Sequence, residues 1–282
     1  LPAFVCRPPL HTTATPTLDQ GPVISRCLVA ASCLMLYLSA THAAERWETL
    51  PPTPAAVAGA KTGYAAVNGI KVYYTRTGHG SPVVLLHGVL SNSDYWGNQG
   101  KALSAKHTVI SIDSRGHGRS SRDEKPYGYD LMADDVVAVL DHLKIPRADI
   151  VGWSDGAIIG IDLALRHPDR IGKVFAFAAN TQTAGVKDGV EKNPTFAAFI
   201  ERAGKEYAKL SPTPKEYDEF VEQISHMWAS QPNWTDAQIA SIKPPITSVA
   251  GDHDEASTRE YTETMARRIA GPARRLVSTN SA

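Results

Sequence analysis

Five consecutive positions, Pro82-Val83-Val84-Leu85-Leu86, carry no polar side chain, which predicts a strand covered on both faces. Val109-Ile110-Ser111-Ile112-Asp113, Ala148 to Trp153, Lys173 to Ala178, Ile246 to Ala250 and Arg274 to Ser278 read as further strands. Between them the apolar period lengthens to that of a helix. Helices are predicted around Tyr95 to Ala105, over Leu131 to Leu143, over Ile158 to His167 and over Thr258 to Ala270. In the second of these Asp130 is the expected N-cap, with Val136, Val137, Leu140 and Leu143 on one face. Ahead of them, Gly63 to Val67 and Ile70 to Arg76 flank Asn68-Gly69, the dipeptide of two-residue hairpin turns. Apolar strands alternating with helices predict an α/β fold: a mostly parallel sheet flanked by helices on both faces.

The alternation breaks between Thr181 and Lys243. Phe196, Phe199 and Ile200 recur at helical spacing, as do Tyr217, Phe220, Val221, Ile224 and Trp228 within Thr213 to Ser230. Thr235 opens a shorter helix that Pro244-Pro245 ends. This stretch, about 181–243, is expected to be a helical cap inserted before the late strands. Its aromatic stripes are read as contacts between cap and sheet, with Trp228 kept as a substrate contact.

The first 43 residues follow another pattern. A Pro- and Thr-rich stretch gives way to Arg26, a short apolar run from Cys27 to Ala40, and small residues at Ala43 and Ala44. This order reads as a leader whose residues 23–43 form a secretory signal, too short for a comfortable membrane helix; the rival is a buried N-terminal helix. No methionine precedes Met35, so translation is expected to start near Val23. Export to the periplasm or medium is therefore expected, with no stable membrane anchor once the signal is cut. Residues 44–61, rich in Pro and Ala, read as an extended arm, and 62–282 as the main domain.

Lys+Arg and Asp+Glu each number 29, and no basic run stands out, so no nucleic-acid partner is implied. All three cysteines lie ahead of the expected cut, which leaves no disulfide framework and no cysteine-based metal site in the mature domain. Asp252, His253, Asp254 and Glu255 lack the glycine and distal glutamate of a calcium loop. No metal and no cofactor is expected.

Candidate chemistry sits where the strand run Ala148 to Trp153 meets its helix, at Gly152-Trp153-Ser154-Asp155-Gly156. Gly-x-Ser-x-Gly between a strand and a helix is the pattern of a nucleophile elbow, which exposes a serine on a sharp turn and aims helix N–H groups at it. The bland alternative is an ordinary glycine-rich turn.

Four features in this order resemble the α/β-hydrolase superfamily: His87-Gly88, the Asp113-to-Ser120 loop, the elbow, and Gly251-Asp252-His253-Asp254. They span roughly Thr62 to the C-terminus. The elbow and Phe177-Ala178-Ala179-Asn180 look most like small-molecule esterases similar to valacyclovir hydrolase. The resemblance implies an ester hydrolase acting on small molecules. Ser154 would be its nucleophile, Asp254 its acid with Asp252 as runner-up, and the backbone N–H groups of Val89 and Asp155 its oxyanion hole. Trp153, Asp155, Asn180 and Trp228 would line the substrate. His87, His117 and Asp113 are read as braces of their turns. For Asp155 two readings stand: a carboxylate facing a cationic substrate, or one that only complements the helix N-terminus.

One departure stands against the matches. The family's catalytic histidine follows the last strand, whereas here Thr279-Asn280-Ser281-Ala282 does, and all ten histidines lie upstream. The chain is therefore expected to be a fragment cut short of its histidine, or one that has lost its base. The first makes it a serine esterase, with lactone or C–C bond hydrolysis as alternatives on the same fold. The second makes it an impaired member binding a small apolar ligand.

Overall fold

The computed structural model describes residues 45–269 and the backbone of 274–278. The expected leader and signal, and the position after the last strand where a catalytic histidine is expected, lie outside the described residues.

β1 (Lys61–Val67) and β2 (Ile70–Thr77) form the expected hairpin, Val67 pairing with Ile70. There follow β3 (Ser81–Leu86), α1 (Gly97–Leu103), β4 (His107–Ile112), α2 (Tyr129–His142), β5 (Ala148–Trp153), α3 (Asp155–Arg166) and β6 (Ile171–Phe177). The cap consists of α4 (Pro194–Leu210), α5 (Tyr217–Ser230) and α6 (Asp236–Ala240); β7 (Ile246–Gly251), α7 (Arg259–Arg268) and β8 (Arg274–Ser278) close the fold. The eight strands make one sheet in the order β1-β2-β4-β3-β5-β6-β7-β8. β2 runs antiparallel to β1 and β4, and every other pair is parallel.

β3 and β5 lie at the centre, and α3 packs against β3, β5, β6 and α2. Every residue of α3 from Asp155 to Ala164 is buried, so the helix is fixed on nearly all sides and holds its N-terminus, which carries the elbow, in one place. The two ends of the Arg115 guanidinium meet Asp135 of α2 and Asp123, and Asp135 also accepts from Asn68 of the hairpin turn. This cluster, centred on the buried Arg115 and Asp135, pins the edge hairpin to α2.

Local details correct the sequence reading. α2 begins at Tyr129 with Gly128 as its N-cap; Asp130 lies in the first turn and accepts only from the adjacent Leu131 N–H. The helix expected over Tyr95 to Ala105 opens as a 3₁₀ turn, Ser93–Trp96, capped by Asn92. α5 starts at Tyr217 rather than Thr213, since Pro214 lies in the connecting turn. The cap is helical as expected, yet two isolated β-bridges, Gln182 with Asn233 and Val186 with Ser257, tie its ends down.

The cap grips the core through one ring and one cation. Phe220 of α5 is fully buried, edge-on to His117 at 4.8 Å and stacked on Tyr207 of α4 at 5.3 Å. Arg122 reaches up to Glu216 and Glu219.

Residues 45–60 run as the extended arm. It crosses α4, where Thr53 donates to Glu206 and Arg202 donates to the Pro51 carbonyl. Trp47 lies face to face on His253, with ring centroids 3.8 Å apart and planes 4° from parallel.

Candidate active site

The elbow is built by close approach. A Cβ on Gly152 would lie 2.3 Å from the Gly156 carbonyl oxygen, and one on Gly156 would lie 2.1 Å from that of Leu86. Only glycine lets β5, α3 and the end of β3 meet so tightly. Ser154 sits between them at φ 53°, ψ −121°, a backbone region that costs a residue with a side chain roughly 1–3 kcal/mol. The surroundings hold it there: its N–H donates to the Phe177 carbonyl at 2.8 Å, and its carbonyl accepts from Ala157 and Ile158. Among the described residues no side chain hydrogen-bonds the Ser154 hydroxyl.

Beside it, the close contact of Gly156 with the end of β3 brings the head of α3 next to the His87-Gly88-Val89 turn. Among the described residues the N–H groups of Val89 and Asp155 donate to no backbone carbonyl, as expected for the first N–H of a helix. These are the two donors assigned above to an oxyanion hole.

The Asp155 side chain is buried, and its two carboxylate oxygens accept from the Trp228 indole N–H of the cap at 3.1 and 3.3 Å. The Tyr129 hydroxyl at the head of α2 is its other partner. Burial pushes its pKa up to about 6, against the two hydrogen bonds, which pull it down. No cation among the described residues pairs with it. Trp228, expected at the substrate, therefore spends its polar atom on Asp155. Tyr129 had no signal in the sequence, standing at the start of a helix like any other core aromatic.

The acidic loop separates its two candidates. Asp254 is buried and Asp252 exposed. Asp254 Oδ1 accepts from the N–H groups of Ala256 and Ser257, at 2.9 and 2.7 Å, and burial raises its pKa. Lys187, which the sequence reading passed over, ties the loop to the cap by donating to the Asp254 carbonyl. His253 faces the arm through its stack on Trp47.

The remaining expected residues are accounted for by packing. Trp153 rests on Gly88 and meets Tyr95 and Phe199 at 6.0 and 5.8 Å. Asn180 donates to the Gln182 carbonyl at the entry to the cap. His87 accepts from Ser114 N–H and donates to the Gly88 carbonyl, while His117 donates to the Arg115 carbonyl. Burial lowers the pKa of both, that of His117 to about 3. Asp113 accepts from the N–H groups of Ser93 and Arg119. These three residues brace loops, and the metal reading of 252–255 gains no geometry: among the described residues no cluster of three metal-ligating side chains occurs.

The family profile of the alpha/beta hydrolase fold matches residues 81–192, from β3 through the elbow into the start of the cap. The chain has the α/β-hydrolase fold. It is 39% identical over 108 residues to a putative carbamate hydrolase, RutD, of Azorhizobium caulinodans, covering 38% of this chain and 41% of that protein. It is 36% identical over 135 residues to the human serine hydrolase BPHL, covering 45% and 46%. The aligned stretch thus spans under half the length of these curated relatives. Among solved α/β-hydrolases, Est816, an N-acyl homoserine lactone degrading enzyme, superposes over 78% of this chain and 93% of its own, with a TM-score of 0.62 and 28% identity.

Proposed function

We propose that this protein is a serine hydrolase that cleaves carboxylic esters of small molecules through an acyl-enzyme on Ser154. The observation that carries this reading is the strained serine at the head of a helix buried from Asp155 to Ala164, beside two N–H groups that, among the described residues, donate to no backbone carbonyl. Ser154 Oγ attacks the ester carbonyl and gives its proton to a general base. The oxyanion accepts from Val89 and Asp155 N–H, and the alkoxide leaves as the alcohol with that proton. Water then releases the acid by the same steps. Asp254 is the acid that orients the base, because it is buried and its exposed neighbour Asp252 is not. None of the described histidines bonds to Ser154. In our reading the base is a histidine placed after β8, as the family resemblance implies, and the pairing of Ser278 with Gly251 sets the end of β8 beside the strand that leads into the Asp254 loop.

A fluorophosphonate should label Ser154 in a chain that carries such a histidine, and Ser154→Ala should abolish both labelling and p-nitrophenyl ester hydrolysis. Retention of hydrolysis by the alanine variant would end the proposal. Lactone hydrolysis is the second reading, supported by the likeness to Est816; a lactone offers the serine the same carbonyl. We further propose export, for which the N-terminus recovered from the host should lie within a few residues of Ala44.

A further inference from the structure

The loop that carries the proposed acid is gripped from the entry to the cap. Val186 pairs with Ser257 in an isolated β-bridge, and the Lys187 N–H donates to the Ala256 carbonyl at 2.7 Å. The Lys187 ammonium donates to the carbonyl of Asp254 itself. Two consecutive residues thus hold residues 254, 256 and 257 by the backbone. That backbone is also what orients the carboxylate, because the N–H groups of Ala256 and Ser257 are the donors to Asp254 Oδ1. Among the described residues both bonds go to Oδ1, so Oδ2 is the oxygen left to meet a base.

Lys187 stands on a firm footing. A Cβ on Gly185 would lie 2.6 Å from Asn180 Cβ and 2.7 Å from the Tyr261 ring, so the turn before Lys187 is seated directly on α7. The Thr181 N–H donates to the Tyr261 hydroxyl at 3.2 Å, and the two hydroxyls lie 3.1 Å apart. Charge points the same way. Burial raises the pKa of Asp254 and of its half-buried neighbour Glu255, and Lys187 is the cation among the described residues that lowers both. Asp252 is exposed, and His253 is turned to Trp47 of the arm. A carbonyl needs no charged donor, whereas a buried acid beside a second carboxylate is kept ionised by one. We infer that Lys187 is a positioning residue for the proposed acid: it fixes the backbone that orients Asp254 and sets a positive charge on a buried residue that no other described cation serves. The inference rests on the reading of Asp254 as the acid.

The titration of Asp254 tests this without any hydrolysis. It is followed by the ¹³Cγ resonance, assigned by its loss in Asp254→Asn. The midpoint in Lys187→Met should lie about half a pH unit or more above that of the parent, and Lys187→Arg should stay near the parent. Amide exchange at Ala256 and Ser257 should quicken about 3-fold or more in Lys187→Met, as the loop loses its grip. In a chain carrying a histidine after β8, Lys187→Met should lower kcat for p-nitrophenyl acetate about 10-fold with little change in KM, and Lys187→Arg should recover most of the loss. An unmoved midpoint in Lys187→Met would overturn the inference, whatever the hydrolysis. A moved midpoint with unchanged kcat would overturn it too, where Asp254→Asn is slow. If Asp254→Asn itself hydrolyses at the parent rate, the acid lies elsewhere and the inference falls with it; the moved midpoint tells that failure from the first.

Discussion

Asp155 is the residue whose ionisation matters most to the proposed chemistry. Its N–H is meant to stabilise an oxyanion, yet its carboxylate, when ionised, puts a second negative charge close by. Because burial raises its folded pKa to about 6 from 3.8, the folded state favours the protonated form. Its contribution to stability is therefore full below about pH 4, falls as the pH rises to about 6, and is flat above. Two pKa units correspond to roughly 3 kcal/mol as an upper bound. Asp155→Asn should remove this slope between pH 4 and 6, read from thermal melts against the parent. His117 acts in the opposite sense. Its pKa is lowered to about 3, so its contribution falls as the pH drops from about 6.5 toward 3, and that acid limb should remain in Asp155→Asn. A substrate ammonium group would offset the Asp155 charge. Amino-acid esters should then be preferred over neutral isosteres above pH 6, and Asp155→Asn should erase the preference; equal rates would leave Asp155 only the task of complementing α3. The sequence placed Asp155 beside the serine but could not reveal its partners, because Trp228 lies 73 positions away and meets it only once the cap has folded down.

At the scale of elements, the strands were the most readable part. β3 and β4 are buried over most of their length and β5 at every second residue, so their apolar runs carry the signal without help from neighbours. The ends of helices were harder. Asp130 has the side chain of a cap but stands two positions too late, and Gly128 supplies the extended backbone instead. The contacts of the acid loop with Lys187 and with Trp47 of the arm likewise join segments far apart in the chain, and no local pattern announces them. The parallel pairing of β7 with β8 has a testable consequence for the base. A chain ending at Ala282 should hydrolyse p-nitrophenyl acetate far more slowly than one carrying a histidine shortly after Ser278, since loss of the histidine from a serine triad costs roughly 10⁶ in kcat. Equal rates would mean that the base comes from elsewhere, with His253 the first candidate.

Over the whole molecule, the arm joins parts that the proposed catalytic cycle needs in register. From Trp47 to Val57 it touches the loop of the proposed acid, the cap helix α4 and the core helix α1. Glu206 of α4 also accepts from Asn92 next to the 3₁₀ turn, so the arm, the cap and the core share one carboxylate. Removing residues 45–57 should lower the melting temperature by several degrees and raise proteolysis within α4; unchanged melting would show that the arm rests on the surface without holding it. The arm also carries its own optical reporter. Indole emission depends on what is stacked on the ring, and among the described tryptophans only Trp47 lies against a histidine. The emission of Trp47, taken as the difference between the parent and Trp47→Phe, would follow the seating of the arm in real time, without any dye attached to the protein.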